Sequence, residues 1–175
     1  AGRWAAHLWN GSDIYHPNQL GHEAMASAFP LTLWEALQAG KPLPEYICTQ
    51  GDENGVECVT FQPEGQVQSY TLSYVSADTT YTEVYSAAQN KQWLYTNGQL
   101  VSTAEAVHKT VDTITIHGSN IHQVFFYRAA MTEREVRALA EGKMLRSSLE
   151  IHCPLLGGNT TNYAQTMNCV SIHNN

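Results

Sequence analysis

Charge is scarce in this chain. Only 14% of its 175 residues are Asp, Glu, Lys or Arg, about half of the ~25% usual in soluble domains. Nine Lys and Arg face sixteen Asp and Glu, a formal net charge of −7. A phosphate backbone is held by Lys and Arg clusters, and no basic run occurs, so no nucleic-acid partner is expected. Long apolar runs are missing too. No stretch reaches the ~18 residues that a membrane helix needs, so no membrane span is expected. There is no C-x-x-C, and the cysteines match no zinc spacing. No internal repeat and no low-complexity tract appears.

What is present describes a folded, extracellular type of chain. Hydrophobic residues make up 43%, too many for a disordered segment, and the length suffices for a real core. A surface of Ser, Thr, Asn and Gln with little charge suits a secreted protein. Four cysteines, Cys48, Cys58, Cys153 and Cys169, permit three pairings. Two local disulfides, Cys48–Cys58 and Cys153–Cys169, are the expectation, and four reduced, buried thiols the alternative. Two N-glycosylation sequons, at Asn10 and Asn159, lean the same way.

The apolar spacing changes along the chain. Leu20, Ala24, Ala28, Leu31, Trp34 and Leu37 recur every three or four residues, which predicts a helix over 18–39. Asn18 is its candidate N-cap and Gly40 its stop. Pro30 should kink or restart it. Gly40-Lys41-Pro42-Leu43-Pro44 reads as a linker. Beyond it the period becomes two, and strands are predicted at 57–62, 67–76, 80–86, 91–95, 99–102, 110–117 and 123–128. Asn97-Gly98 signals a hairpin, and Gly118-Ser119-Asn120 another turn. Thr132-Glu133-Arg134-Glu135 is a capping box opening a helix over 132–145. An extended piece at 149–156 precedes a polar tail.

Two stretches carry family resemblances. Asp13-Ile14-Tyr15-His16-Pro17-Asn18-Gln19-Leu20-Gly21-His22 resembles the last conserved block of the SGNH (GDSL-type) esterases. That resemblance implies that His16 is a general base and Asp13 its orienter in a Ser-His-Asp triad. Only twelve residues precede Asp13, and the expectation is that the nucleophile strand and oxyanion loops lie outside this sequence. Leu94-Tyr95-Thr96-Asn97-Gly98-Gln99-Leu100-Val101, Thr113-Ile114-Thr115-Ile116-His117-Gly118 and the run Val124 to Val136 are similar to the closing strands and helix of a laminin-G or concanavalin-A-like jelly roll. That resemblance implies a sandwich whose relatives bind glycans or proteins, or support a catalytic neighbour.

Other chemistry-bearing residues have plainer readings. His22 reads as structural. His108, His117, His122, His152 and His173 are scattered, and no third ligand completes a metal site beside His117 and His122. Asp52-Glu53-Asn54 reads as a solvated turn, with a calcium site as the alternative. Tyr70, Tyr74, Tyr81, Tyr85, Trp93 and Tyr95 fall on strands, where aromatics serve cores and cross-strand pairs more often than sugar platforms.

The fold expected is mainly β: an antiparallel laminin-G-like β-sandwich over 45–156, an N-terminal helical segment over 1–40 and one short C-terminal helix, with a polar tail at 157–175. The function expected is the C-terminal part of a secreted carbohydrate esterase acting on acylated glycans, not catalytic alone, with a companion segment supplying the Ser. The alternatives are a structural or adhesive subunit of a self-assembling extracellular complex, and a glycan-binding lectin module. No cofactor and no metal are implied.

Overall fold

The computed structural model describes residues 8–11, 13–44, 54–106 and 111–173. The first described elements are a small hairpin, β1 (Trp9–Asn10) against β2 (Asp13–Pro17), and then α1 (Gln19–Ser27) and α2 (Thr32–Gln38). The helix predicted over 18–39 is thus two helices, broken around Pro30 as its missing N–H requires.

The rest is mainly antiparallel β-sheet. Eight strands form one hydrogen-bonded sheet: β3 (Val56–Phe61), β4 (Ser69–Ser76), β5 (Thr79–Ser86), β6 (Lys91–Thr96), β7 (Gln99–Glu105), β8 (Ile114–Tyr127), β9 (Leu149–Cys153) and β10 (Val170–Ile172). Their order is β10-β3-β8-β4-β5-β6-β7, and β9 also pairs with β8. The β6–β7 turn has Asn97 at φ 49° and Gly98 at φ 75°, the two positive values that a type I′ hairpin needs. Gly98 also abuts α3 (Glu133–Ala140): a Cβ there would come within 3.1 Å of Arg137 Cα.

One predicted turn is a correction. Gly118-Ser119-Asn120 does not end a strand; β8 runs through it for fourteen residues. Its first half pairs with β3 and its second half with β9, while β4 lies along the other edge. Asn120 and Gln123, at φ 53° and 52°, absorb the register shifts of this change of partner as bulges do. The helix expected over 132–145 stops at Ala140, just before Gly142. Its capping box forms as predicted, with Thr132 and Glu135 satisfying each other's backbone N–H.

Strand alternation splits the sheet's side chains between two faces. Tyr70, Leu72, Phe126, Ile151 and Cys153 join Phe61 and Tyr85 in one core cluster. Phe61 meets Phe126 edge-on at 5.4 Å between ring centres, and Tyr70 stacks on Phe126 at 5.6 Å. Val84, Tyr95, Tyr127 and Leu149 pack on the opposite face against Val136 and Leu139 of α3.

The disulfide expectation is corrected. Cys58, Cys153 and Cys169 are free thiols. Cys153 is fully buried on β9 and donates to the Asn159 carbonyl at 3.3 Å, whereas Cys169 is exposed beside Met167. The two side chains therefore lie in different environments and no Cys153–Cys169 bond forms. Burial pushes the Cys153 thiol up to about 12, which keeps it protonated and inert. Cys58 is likewise buried and free, so the Cys48–Cys58 bond is absent too; Cys48 itself lies outside the described residues.

Candidate functional site

Two places carry chemistry. The first is the Asp13–His22 block. Asn18 caps α1, its Oδ1 accepting from Gly21 N at 2.9 Å, while its own N–H donates to the Leu8 carbonyl at 3.0 Å. Gly21 is required by close approach: a Cβ would sit 2.3 Å from the Leu8 carbonyl oxygen. The Pro17, Asn18 and Gly21 of the motif thus fasten helix to hairpin. His16 is exposed near the end of β2, and His22 lies exposed on α1. The Asp13 side chain is not among those described, nor is Ser12.

The helical block is bare on its apolar side. Leu20, Phe29, Leu31, Trp34, Leu37 and Leu43 are all between 45% and 67% exposed. Of the predicted stripe, Leu20, Leu31, Trp34 and Leu37 are exposed and Ala24 and Ala28 half-buried, and the break around Pro30 divides it between two helices.

The second place is a cleft of about 680 Å³ where β3 leaves the sheet and β4 enters it. Gln62, Gln66, Gln68 and Asp112 rim it, and Val67, Tyr85, Ala87 and Val111 form its apolar bottom. The turn Pro63-Glu64-Gly65 brings the three glutamines to one loop. Gln62 spends its amide N–H on Thr113 Oγ1 at 3.4 Å. The side chains of Gln66, Gln68 and Asp112 are exposed and make no hydrogen bond to a described residue. Neutral amides that both donate and accept, beside one carboxylate, suit hydroxyl-rich ligands. The described rim holds no cation.

The loop is held from behind. Arg128 and Glu150 form an ion pair at 2.8 Å, 3% and 0% exposed. Arg128 donates to the carbonyls of Gln66, at 3.1 Å, and Glu64. Glu150 accepts from Glu64 N at 3.1 Å and from Asn168 Nδ2. Burial pushes the Glu150 carboxyl up, and the Arg128 guanidinium and these N–H donors pull it back.

The remaining sequence candidates fall into plainer places. Tyr70 and Tyr85 are buried, and Tyr95 packs near α3. Tyr74 and Tyr81 stack at 5.6 Å with Tyr81 40% exposed, one aromatic pair reaching solvent. Asn10 is exposed on its hairpin, whereas Asn159 commits its Nδ2 to the Tyr163 hydroxyl at 3.2 Å. His117 and His173 are exposed, His122 bonds the Asn120 carbonyl at 3.0 Å, and His152 is buried. Among the described residues no three His, Cys, Asp or Glu side chains gather as metal ligands; His108, Asp52 and Glu53 lie outside them. No described helix is long and apolar enough to cross a membrane.

The cleft glutamines were missed in the sequence. The available signal was a Pro-Glu-Gly turn flanked by three glutamines between two strands, and it reads as an ordinary loop.

No protein-family model matches the chain, and no curated protein matches it in sequence. Among solved structures it is similar to a "putative carbohydrate binding protein" from Bacteroides ovatus ATCC 8483, at 11% identity and a TM-score of 0.49. The similarity covers 67% of this chain and 58% of that one, and is too loose to assign fold or ligand.

Proposed function

We propose that the β-sheet region is a glycan-binding module of laminin-G-like type, and that its ligand occupies the cleft bounded by Gln62, Gln66, Gln68 and Asp112. One observation carries this: the side chains of Gln66, Gln68 and Asp112, without described protein partners, rim a cleft with an apolar bottom. Sugars are recognised by such donors and acceptors, with apolar surface beneath their C–H faces. The Asp112 carboxylate on the rim favours a neutral or amino-sugar chain over a uronate. Calorimetric titration with chitohexaose, cellohexaose, xylohexaose and a polygalacturonate oligomer tests it. Binding of a neutral or amino-sugar chain, lost in Gln66→Ala with Gln68→Ala, supports the site. Tight binding of the uronate alone, or binding unchanged in the double variant, would refute it.

A second reading has its own observation, that His16 is exposed and that large apolar side chains of α1 and α2 are exposed in the same N-terminal block. Large exposed apolar patches mark interfaces. On this reading residues 1–40 complete an SGNH-type ester hydrolase in a secreted protein. A Ser from outside the 175 residues attacks an acyl ester of a glycan, His16 takes its proton, and Asp13 orients His16. Mass measurement of the natural polypeptide tests this first. A longer or co-purifying segment with a Gly-Asp-Ser-type motif, and loss of acetyl-ester hydrolysis in His16→Ala, are the expected results. A natural species of this chain alone, in large assemblies, would leave the adhesive reading instead.

A further inference from the structure

We propose that the buried Arg128–Glu150 pair is a positioning device that sets the cleft loop from behind and, through Glu64, ties that loop to α2. Its ligand rests on the glycan-binding reading; its mechanics do not.

The contacts converge on the loop backbone. Glu64 is held at its N–H by Glu150 and at its carbonyl by Arg128, and Gln66 at its carbonyl by Arg128. Three backbone atoms within three residues are thus pinned by one ion pair. Gln66 lies in this pinned stretch and Gln68 follows two residues beyond it. The guanidinium is suited to this because its planar fork serves a carboxylate and two carbonyls at once. A Lys ammonium carries the same charge without that geometry. For stability alone a buried ion pair is a poor choice, since apolar residues of similar volume commonly do as well. What an apolar pair cannot do is hold those carbonyls and that N–H.

The same network reaches the helical block. Glu64 Oε2 accepts from the backbone N–H of Thr32 at 2.7 Å. Thr32 Oγ1 bonds Asn168 Oδ1 at 3.3 Å, and Asn168 donates back to Glu150. Cleft and α2 therefore share one set of bonds, and ordering one favours ordering the other. A preset loop also spares a bound ligand the entropy of fixing the glutamines.

The test combines amide hydrogen exchange with calorimetry on Arg128→Lys, on the double variant Arg128→Met with Glu150→Met, and on Glu64→Ala. Segment 70–86 serves as the internal reference. In the first two variants exchange over 62–68 and 32–38 should rise about tenfold or more while 70–86 keeps the parent protection. Affinity for whichever of chitohexaose, cellohexaose or xylohexaose the parent binds should fall about tenfold or more. Glu64→Ala should loosen 32–38 and leave 62–68 protected. Unchanged exchange over 62–68, or a rise shared equally by 70–86, would make the pair a general stabiliser and overturn the proposal. Equal affinity in parent and double variant would overturn it too. Selective loosening in a parent that binds none of the three sugars would sink the glycan reading and keep the positioning role.

Discussion

Between Gln19 and Pro44 the buried side chains are few and small, Ala36 and the prolines Pro30 and Pro44. Between Val56 and Ile172 two clusters bury large aromatic and aliphatic side chains on both faces of one sheet. The two regions are therefore stabilised differently. The β region carries its own hydrophobic driving force. The helical block is attached through hydrogen bonds: Thr32 N–H to Glu64, Lys41 Nζ to the Thr166 carbonyl, and Gln165 Nε2 to the Lys41 carbonyl at 3.3 Å. A neutral bond of this kind contributes about 0.5–1.5 kcal/mol after exchange with water, and one to a charged group such as Glu64 or Lys41 up to about 3. The difference teaches that the block's apolar residues are spent on something other than this sheet.

The largest expected effect lies in the β core. Phe126 is fully buried between Phe61 and Tyr70. Phe126→Ala should cost about 3–5 kcal/mol in urea unfolding, because the rings around it cannot close the gap. A loss below about 1 kcal/mol would mean that this core is not packed as described.

Acid should also act on the β region first. His152 is buried against Phe125 at 4.7 Å, neither ring nitrogen has a described partner, and burial pushes it down to about 4. The unfolded chain takes up this proton near pH 6.5 and the folded one only near 4. Stability is therefore full above about pH 6.5 and falls as pH drops toward 4, with a slope of about 1.4 kcal/mol per pH unit at most. His152→Leu should flatten that slope in unfolding measured between pH 7 and 4. An unchanged slope would assign the acid sensitivity to other groups.

Much of this architecture is legible in the sequence, and the gaps have physical causes. Period-two alternation located β3 to β6 to within a few residues, because each places side chains in a core; β7 is exposed along its length and was marked by the Asn97-Gly98 turn before it. Asn18, Pro30, Asn97-Gly98 and Thr132–Glu135 acted as local chemistry dictates. β8 was split in two, because a sequence shows turn residues but not that a strand changes partners at a bulge. β10 was missed inside the polar tail, since Val170–Ile172 is three residues long and its pairing with β3 is non-local. The disulfides failed because spacing does not say that Cys153 is in the core while Cys169 is on the surface. The cleft was invisible for a similar reason: its rim comes from Gln62 to Gln68 and Asp112, some fifty residues apart, joined only by the fold.

Changes in the helical block should be felt locally. Asn18→Ala removes the acceptor for Gly21 N–H, a loss of about 1 kcal/mol for α1. Because α1 shares little packing with the sheet, amide exchange over 19–27 should rise while the urea midpoint of the β region holds. A matching drop in that midpoint would show the two regions unfolding as one.

The smallest effect should come from the largest exposed ring. Trp34 is 62% exposed on α2, so Trp34→Ser removes apolar area that water already touches. Its urea stability should stay within about 0.5 kcal/mol of the parent, as for surface substitutions generally. Binding of a hydrophobic dye should fall, since part of the bare patch is gone. If the chain self-associates through this patch, sedimentation of Trp34→Ser should shift toward monomer at equal concentration. A loss above about 1.5 kcal/mol would show that something covers Trp34 within the chain itself, and the contrast between the two regions would then fail at its clearest point.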